Sequence, residues 1–356
     1  MQLSFSAWPA PSHSSLKYVV VMARYQGQWI LSRHHQRQSW DIPGGKIDAG
    51  ETAEQAAARE LVEETGASQF TLEPIELYHV TDNAGHSASG LLCVAEISEL
   101  GPLPIGSEMA EIQQVGAAPN ATQFTHPLIQ PHLFAQVELR MALLQRLKSY
   151  KHVVWDWNGT LVDDAPLAVD IVNQMLTKQQ LPTTTLEHYR DQFCHPVSDY
   201  YAAAGFDFDR ISFDEICSYF GKAYQANRDK LQLHPGCLFL LRQLATDHRQ
   251  SILSAASQSS LEHCLEHHQI TPLFDSVFGL DNHHAVSKVE RGHELLTLAK
   301  IAKSDTIMIG DTDHDLEVAH ALGIDCLLIA CGHQSTATLR QLHTQVLPNW
   351  HAQIHN

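Results

Sequence analysis

Residues 45–67 read GKIDAGETAEQAAARELVEETGA. Thr52 stands three residues ahead of Gln55 at the start of an alanine-rich run, the pattern of a capping box, and Gly66 stands where a helix would end. The pattern predicts a helix over 52–65. Glu60, Glu63 and Glu64 are three and four residues apart, so they share one face of it. Three like charges on one face repel and destabilise the helix unless cations sit among them. Mg²⁺ takes oxygen ligands and keeps several waters, which suits it to bridging onto a substrate phosphate. There it can polarise a phosphoryl oxygen and activate water. A solvated acidic helix is the simpler reading of such a run, but it leaves Gly45, Glu51, Arg59 and Gly66 at their fixed distances unexplained.

Outward from this helix, residues 17–32, KYVVVMARYQGQWILS, read as two apolar strands around a turn at Gln26-Gly27. Pro43 to Gly45 read as a turn, 75–80 and 89–97 as further strands, and 132–148 as a helix by its apolar spacing. A different pattern begins near 150. KHVVWDWNG (151–159) is a buried strand running into a glycine turn. Residues 165–230 are largely helical, with breaks at Pro182 and His195-Pro196. From His234 on, strands and helices alternate through QSILSA, SVFGL, TIMIGD and CLLIA. Such alternation predicts a parallel α/β sheet with a helical insertion after its first strand. The chain of 356 residues exceeds one average domain. The expected division is 1–148 and 149–356, the latter with a core over 150–164 and 234–335 and a helical cap over about 165–233.

The segment 45–67 matches, without a gap, the signature Gly, five residues, Glu, seven residues, Arg-Glu, an aliphatic, any residue, Glu-Glu, any residue, Gly. It resembles the Nudix hydrolases over about the first 140 residues. The resemblance implies an α/β/α sandwich with a mixed sheet, and cleavage of a diphosphate linkage with Mg²⁺, or Mn²⁺ as an alternative. By that resemblance Glu63 and Glu64 bind metal, Glu60 adds a ligand or acts as base, and the Gly44 carbonyl is a further ligand. Arg59 orients a glutamate, Glu51 supports the loop–helix geometry, and Gly45 and Glu51 are expected among the substrate-binding residues. A later loop glutamate often joins such sites, with Glu108 preferred here over Glu111. ILSRHHQRQSWDIPGG (30–45) resembles the MutT-like and nucleoside-triphosphate branches, in which Arg33 and Arg37 could meet phosphates. There is no proline near 82–83, which disfavours ADP-ribose. A nucleoside triphosphate, oxidised forms included, is the first expectation.

The second part carries four separated signals. Asp156 ends an apolar strand in Asp156-Trp157-Asn158-Gly159-Thr160, where a carboxylate can attack phosphorus. Ser254 ends QSILS, where a hydroxyl can hold a phosphoryl oxygen. Lys288 offers a cation, and Asp311, Asp313 and Asp315 follow TIMI and suit Mg²⁺. All belong at or just beyond C-terminal strand ends, where open parallel sheets bind ligands. Their order and context resemble the haloacid dehalogenase (HAD) superfamily over about 150–335. This implies a Rossmann-like parallel sheet with a cap, Asp156 as nucleophile, and Mg²⁺ held by Asp156, Asp311, Asp315 and the Asn158 carbonyl. Thr160 and His195 are expected to meet substrate. His195 opens HPVSDYY, which resembles a cap specificity loop of phosphoglycolate-phosphatase-like members. One departure stands out. These phosphatases carry Asp two residues after the nucleophile as the proton donor and acceptor, and this chain has Asn158. A slow phosphatase, a substrate whose leaving group needs no acid, and a ligand-binding module without turnover all remain open. Phosphonatases also lack that Asp and carry a Trp like Trp157, but no cap lysine here matches theirs.

Composition limits the partners. A formal net charge of -17 disfavours nucleic-acid polymers and anionic membranes, leaving small phosphate compounds, nucleotides first. Seven scattered cysteines without a CxxC pair suit a reducing cytosol rather than a disulfide scaffold. Met1 to Ser15 lacks the basic start and apolar core of a signal peptide. Oligomeric state is not legible.

Overall fold

The computed structural model describes residues 1–9, 16–280 and 287–350; 10–15, within the N-terminal stretch read above, lies outside them. The chain divides into two compact units, Met1–Leu143 with Pro235–Leu240, and Leu144–His234 with Leu241–Trp350. No helix among the described residues is long and apolar enough to cross a membrane.

The first unit contains β1 (Gln2–Ser6), β2 (Leu16–Tyr25), β3 (Gln28–His34), β4 (Gly44–Lys46), α1 (Ala53–Thr65), β5 (Ala67–Thr81), β6 (Ser87–Leu100), β7 (Met109–Val115) and most of α2 (Gln130–Leu147). Its sheet runs β1-β5-β6-β2-β3-β7, with β4 also paired to β2. β2 lies parallel to β6 and antiparallel to β3, so the sheet is mixed. Gln26 and Gly27 both have positive φ, as a tight hairpin requires. Side chains alternate across a strand. Ile30 joins Val19, Val21 and Ala23 in burying Ala53, Ala56, Ala57 and Leu61 of α1. Trp29 points to the other face, where its ring meets Phe134 of α2 edge-on at 5.6 Å. With a helix on each face, the expected α/β/α sandwich is present. The expected turn at Pro43–Gly45 is instead the entry to β4. Val21 N–H bonds to Pro43 O, and Gly44 packs so closely on Val19 that a Cβ would sit 2.2 Å from its carbonyl oxygen.

The second unit comprises β8 (His152–Trp155), α3 (Ala165–Lys178), α4 (Leu186–Gln192), α5 (Val197–Ala203), α6 (Phe213–Gln225), the end of α7 (Cys237–Leu244), β9 (Arg249–Ser257), α8 (Gln258–His267), β10 (Ser276–Leu280), α9 (Lys288–Ala299), β11 (Thr306–Gly310), α10 (Asp313–Leu322), β12 (Asp325–Ile329), α11 (Thr336–Leu342) and β13 (Val346–Leu347). The sheet is parallel throughout, in the order β10-β9-β8-β11-β12-β13. The chain winds outward from β8 one way and then from β11 the other. The crevice beyond those two strands is the place where ligands bind such sheets. Helices α3 to α6 form the cap around their own core, which includes Val172, Met175, Tyr189, Tyr201 and Ile216. The sheet extends past the expected limit of 335, because α11 returns the chain to add β13 beside β12. Two residues ahead of a proline carry too little pattern to read as a strand.

Helix α1 starts on a complete Thr52–Gln55 capping box and ends on Gly66 in left-handed conformation, φ 76°. A Cβ there would cost about 1–2 kcal/mol in backbone strain and meet Pro102 O at 2.5 Å. Gly66→Ala is therefore expected to destabilise the first unit by about 1–3 kcal/mol. A urea-unfolding midpoint equal to that of the unmutated chain would contradict this.

Candidate active sites

In the first unit, α1 and the β3–β4 loop bring the predicted residues together around Arg59. Its Nε and Nη2 hold Glu51 at 2.8 and 3.0 Å. Nη1 holds Glu60 at 2.9 Å and Glu63 at 3.2 Å, and Nη2 also reaches Lys46 O. All five guanidinium N–H groups are thereby used. The Arg59 hydrogen bond holds Glu51 below the usual carboxylate range. Gly45 is required by close approach, since a Cβ would lie 2.2 Å from a Glu60 carboxylate oxygen. Glu64 has no such cation. Its Oε2 accepts only Ser32 Oγ–H and the Gly44 N–H, each at 3.1 Å. Burial pushes it up to about 7, and Glu60 and Asp41 add to the effect. Burial also raises Glu60, against Arg59. A half-buried carboxylate lacking a cation, beside two more on the same helix face, fits a hard divalent ion.

The other predicted residues of this unit are engaged elsewhere. Arg33 holds Glu111 at 2.8 Å and Arg37 O at 2.9 Å, with its guanidinium over the Trp40 ring. Arg37 pairs with Asp41 at 3.2 Å. Both arginines therefore already have anionic partners. Glu111 lies in β7 rather than in a loop. Glu108, just before it, is exposed and 3.6 Å from His34.

In the second unit Asp156, Asp311 and Asp315 converge, with carboxylate oxygens within 4.8 Å of one another. Lys288 Nζ bonds to Asp156 and Asp315, each at 2.6 Å. All four are buried. Burial pushes Asp156 up to about 6 and Asp311 up to about 8, despite Lys288 beside the first and His333 beside the second. Lys288 and Thr312 keep Asp315 low against its burial. Lys288 serves two of the three carboxylates, and His333 beside the third also pairs with Asp164, so the cluster is short of positive charge. Oxygen donors in that arrangement fit Mg²⁺. Glycines make the approach possible. A Cβ on Gly159 or Gly332 would strike Asp311 Oδ2, and one on Gly310 would strike Asp315.

Two expectations are corrected here. Thr160 is fully buried and is absent from the cavity lining. Its hydroxyl donates to Asp311 Oδ1 at 3.0 Å, so it orients a carboxylate instead of meeting substrate. Ser254 is also fully buried, and its Oγ accepts the Ala256 N–H at 3.1 Å. Ala255, Ala256 and Ser257 line the cavity in its place, because β9 continues past Ser254.

Residues 15–114 match the NUDIX domain family, and 153–329 match the haloacid dehalogenase-like hydrolases. The chain joins a NUDIX domain to a HAD-like hydrolase domain. Members of these families cleave phosphoanhydride and phosphomonoester bonds. Over 80 residues the chain is 42% identical to the putative 8-oxo-dGTP diphosphatase YtkD of Bacillus subtilis, covering 22% of this chain and 49% of that protein. It is 51% identical over 47 residues to the RNA pyrophosphohydrolase of Edwardsiella ictaluri, covering 13% and 27%. The chain thus spans about half or less of the length of these curated relatives. A haloacid dehalogenase-like hydrolase from Streptococcus pneumoniae superposes with a TM-score of 0.49 at 23% identity, over 56% of this chain and 94% of that one.

The HAD domain also uses residues that sequence reasoning missed. Asp164 occupies the N-cap position of α3 but makes no side-chain cap bond. Its carboxylate instead accepts Asn158 Nδ2 at 2.6 Å, the Gly159 N–H at 2.7 Å and Tyr224 Oη at 2.9 Å. His333 Nε2 lies 3.2 Å away. Burial would lower His333, but Asp164, Asp311 and Asp156 outweigh it and bring it up to about 9. His333 also donates its backbone N–H to Asp311 at 2.6 Å. From the cap, Tyr189 reaches His333, and Arg190 donates to Gly332 O and Cys331 O. His195 lines the cavity and holds Asp313 at 2.8 Å. His263 pairs with Asp229, and His268 packs on Trp157.

The Asn158 amide must present its nitrogen to Asp164, since an ionised carboxylate only accepts. Asn158→Asp replaces a charge-assisted hydrogen bond with like-charge repulsion. Its expected cost at pH 7 is about 1.5–3 kcal/mol. The deficit should shrink as pH falls, because the crowded pair then holds a proton. Thermal unfolding across pH reads this out, and a deficit that grew on acidification would contradict the geometry.

Proposed function

We propose that the chain is a bifunctional Mg²⁺-dependent hydrolase. Its NUDIX domain cleaves a nucleoside triphosphate or related diphosphate compound to a monophosphate, and its HAD domain hydrolyses a phosphomonoester. The observation that carries this is the pair of acidic sites, each only partly neutralised by its own cation, Arg59 in one and Lys288 in the other. The similarity to a protein named as an 8-oxo-dGTP diphosphatase supports a nucleotide. The net charge of -17 opposes an RNA polymer as substrate. Seven free cysteines support the cytosol as its compartment.

In the NUDIX domain Glu60, Glu63, Glu64 and the Gly44 carbonyl would hold the metal, with Glu108 as the outer candidate. Arg59 and Glu51 fix the helix against its loop. In the HAD domain Asp156, Asp311, Asp315 and the Asn158 carbonyl would hold it. Bound Mg²⁺ would neutralise phosphate charge at either site. Asp156 Oδ attacks phosphorus, the bond to the ester oxygen breaks, and the phosphoryl group rests on Asp156. Water then releases inorganic phosphate and restores the carboxylate. Lys288 offsets the charge that builds between nucleophile and phosphate. Asn158 supplies no proton to the leaving oxygen, so solvent does, and turnover is slow. The second reading, a HAD domain that binds its ligand without turnover, is favoured by one observation: Asn158 is committed to Asp164 and Tyr224.

Single substitutions separate the two reactions. Glu63→Gln should lower diphosphate cleavage about 100-fold and leave phosphomonoester hydrolysis intact. Asp156→Asn should abolish the latter alone, a loss on the order of 10⁴-fold. Product analysis with nucleotides and a monoester panel checks both, and unchanged diphosphate cleavage in Glu63→Gln would remove the metal-site assignment. Metal affinity gives an independent check. The Glu64 carboxyl, up to about 7 by burial, must be ionised to bind Mg²⁺. Affinity at the NUDIX site should therefore be flat above pH 7 and fall about tenfold per pH unit below it, with proton release. Calorimetry in buffers of different ionisation enthalpy measures this, and pH-independent affinity between pH 5 and 7 would contradict it.

A further inference from the structure

The HAD domain has an open cavity of about 980 Å³ that includes Asp156, Lys288 and Asp311 in its lining. Pockets for drug-sized molecules run from about 300 to 1,000 Å³, so this one is large. A two-carbon phosphoester would leave most of it to water.

The lining has a distinct aromatic side. Phe213, Cys217, Phe220 and Tyr224 recur at three- and four-residue intervals along α6, share one face of it, and line the cavity. The rings of Phe220 and Tyr224 are stacked, with centroids 6.1 Å apart and planes 20° apart. Tyr224 Oη reaches Asn158 at 2.7 Å, so the shelf begins at the catalytic loop and leads away from it. Another part of the lining is polar. Ser257 ends β9, Ser259 and Ser260 lie at the start of α8, and Arg228 Nη1 donates to Ser260 Oγ at 2.8 Å. Phosphate, flat ring and hydroxyl-bearing sugar each have a chemical counterpart in this lining.

We infer that the HAD domain takes a nucleoside 5′-monophosphate, with its phosphate at Asp156 and Lys288 and its base on the Phe220–Tyr224 face of α6. This rests on the phosphatase reading above and names its substrate class. It also places the domain after a reaction that makes nucleoside monophosphate, the class assigned to the NUDIX domain. There, water splits a nucleoside triphosphate into monophosphate and diphosphate. Here, a second water converts the monophosphate into nucleoside and inorganic phosphate.

The test compares GMP with ribose 5-phosphate, which keeps the phosphate and sugar but lacks the base. Binding to the full-length Asp156→Asn chain with Mg²⁺ is measured by calorimetry, with and without Phe220→Ala. GMP should bind about tenfold tighter or more, as base–aromatic stacking gives. Phe220→Ala should remove that advantage and leave ribose 5-phosphate unchanged. Phe220→Leu keeps the bulk and removes the ring, which guards against a folding defect. Equal affinity for the two ligands, or an advantage that survives both substitutions, overturns the inference. Turnover by the unmutated chain distinguishes the two failures. GMP binding that depends on Phe220, without hydrolysis of any monoester, sinks the phosphatase reading and keeps the nucleotide site. Hydrolysis of phosphoglycolate in preference to GMP does the reverse.

Discussion

Lys288 bonds to Asp156 and Asp315 in a buried cluster whose third carboxylate, Asp311, it does not reach by hydrogen bond. Much of the second domain can be understood from the need to hold that imbalance of charge. Adjacent β8 and β11 deliver Asp156 and Asp311 side by side. The start of α9 delivers the lysine, and the start of α10 delivers Asp315. Thr160, the His333 N–H and the Thr312 N–H and hydroxyl orient the carboxylates. Removing one partner of such a buried pair strands a charge, at about 3–5 kcal/mol. The cluster thus constrains the fold as strongly as it serves the chemistry.

The first domain meets a related problem differently. Its acids lie along one face of a single helix and are reached from solvent, and its cation is an arginine rather than a lysine. A planar guanidinium can serve several carboxylates at once in fixed directions, whereas an ammonium acts as a compact point charge. Arg59 accordingly spans Glu51, Glu60 and Glu63, while Lys288 sits between two oxygens.

Local chemistry was legible in the sequence wherever it followed local spacing. The Thr52–Gln55 box, Gly66, the glutamate face and the strand-end aspartates all appear where the pattern put them, because a helix repeat or a strand end fixes them within a few residues. Strand-end position does not say which way a hydroxyl points, and those of Ser254 and Thr160 are turned into the protein. Asp164, Tyr224 and His333 were invisible for another reason. Asn158 meets Tyr224 across 66 positions of chain, and no short-range pattern encodes such a meeting. Asp164 carried one signal in hindsight: an aspartate placed to cap α3 whose carboxylate is used elsewhere. At the edges, β13 was too short to show periodicity.

The five committed donors of Arg59 have a consequence for how the first site fills. Its negative charge is already spoken for by a tethered cation belonging to the protein. A metal ion approaching Glu60 and Glu63 would have to compete with that guanidinium for carboxylate oxygens already engaged by it. Only Glu64 stands outside the contest, which makes it the natural first foothold. A site so arranged would favour a hard divalent ion over a weakly held one.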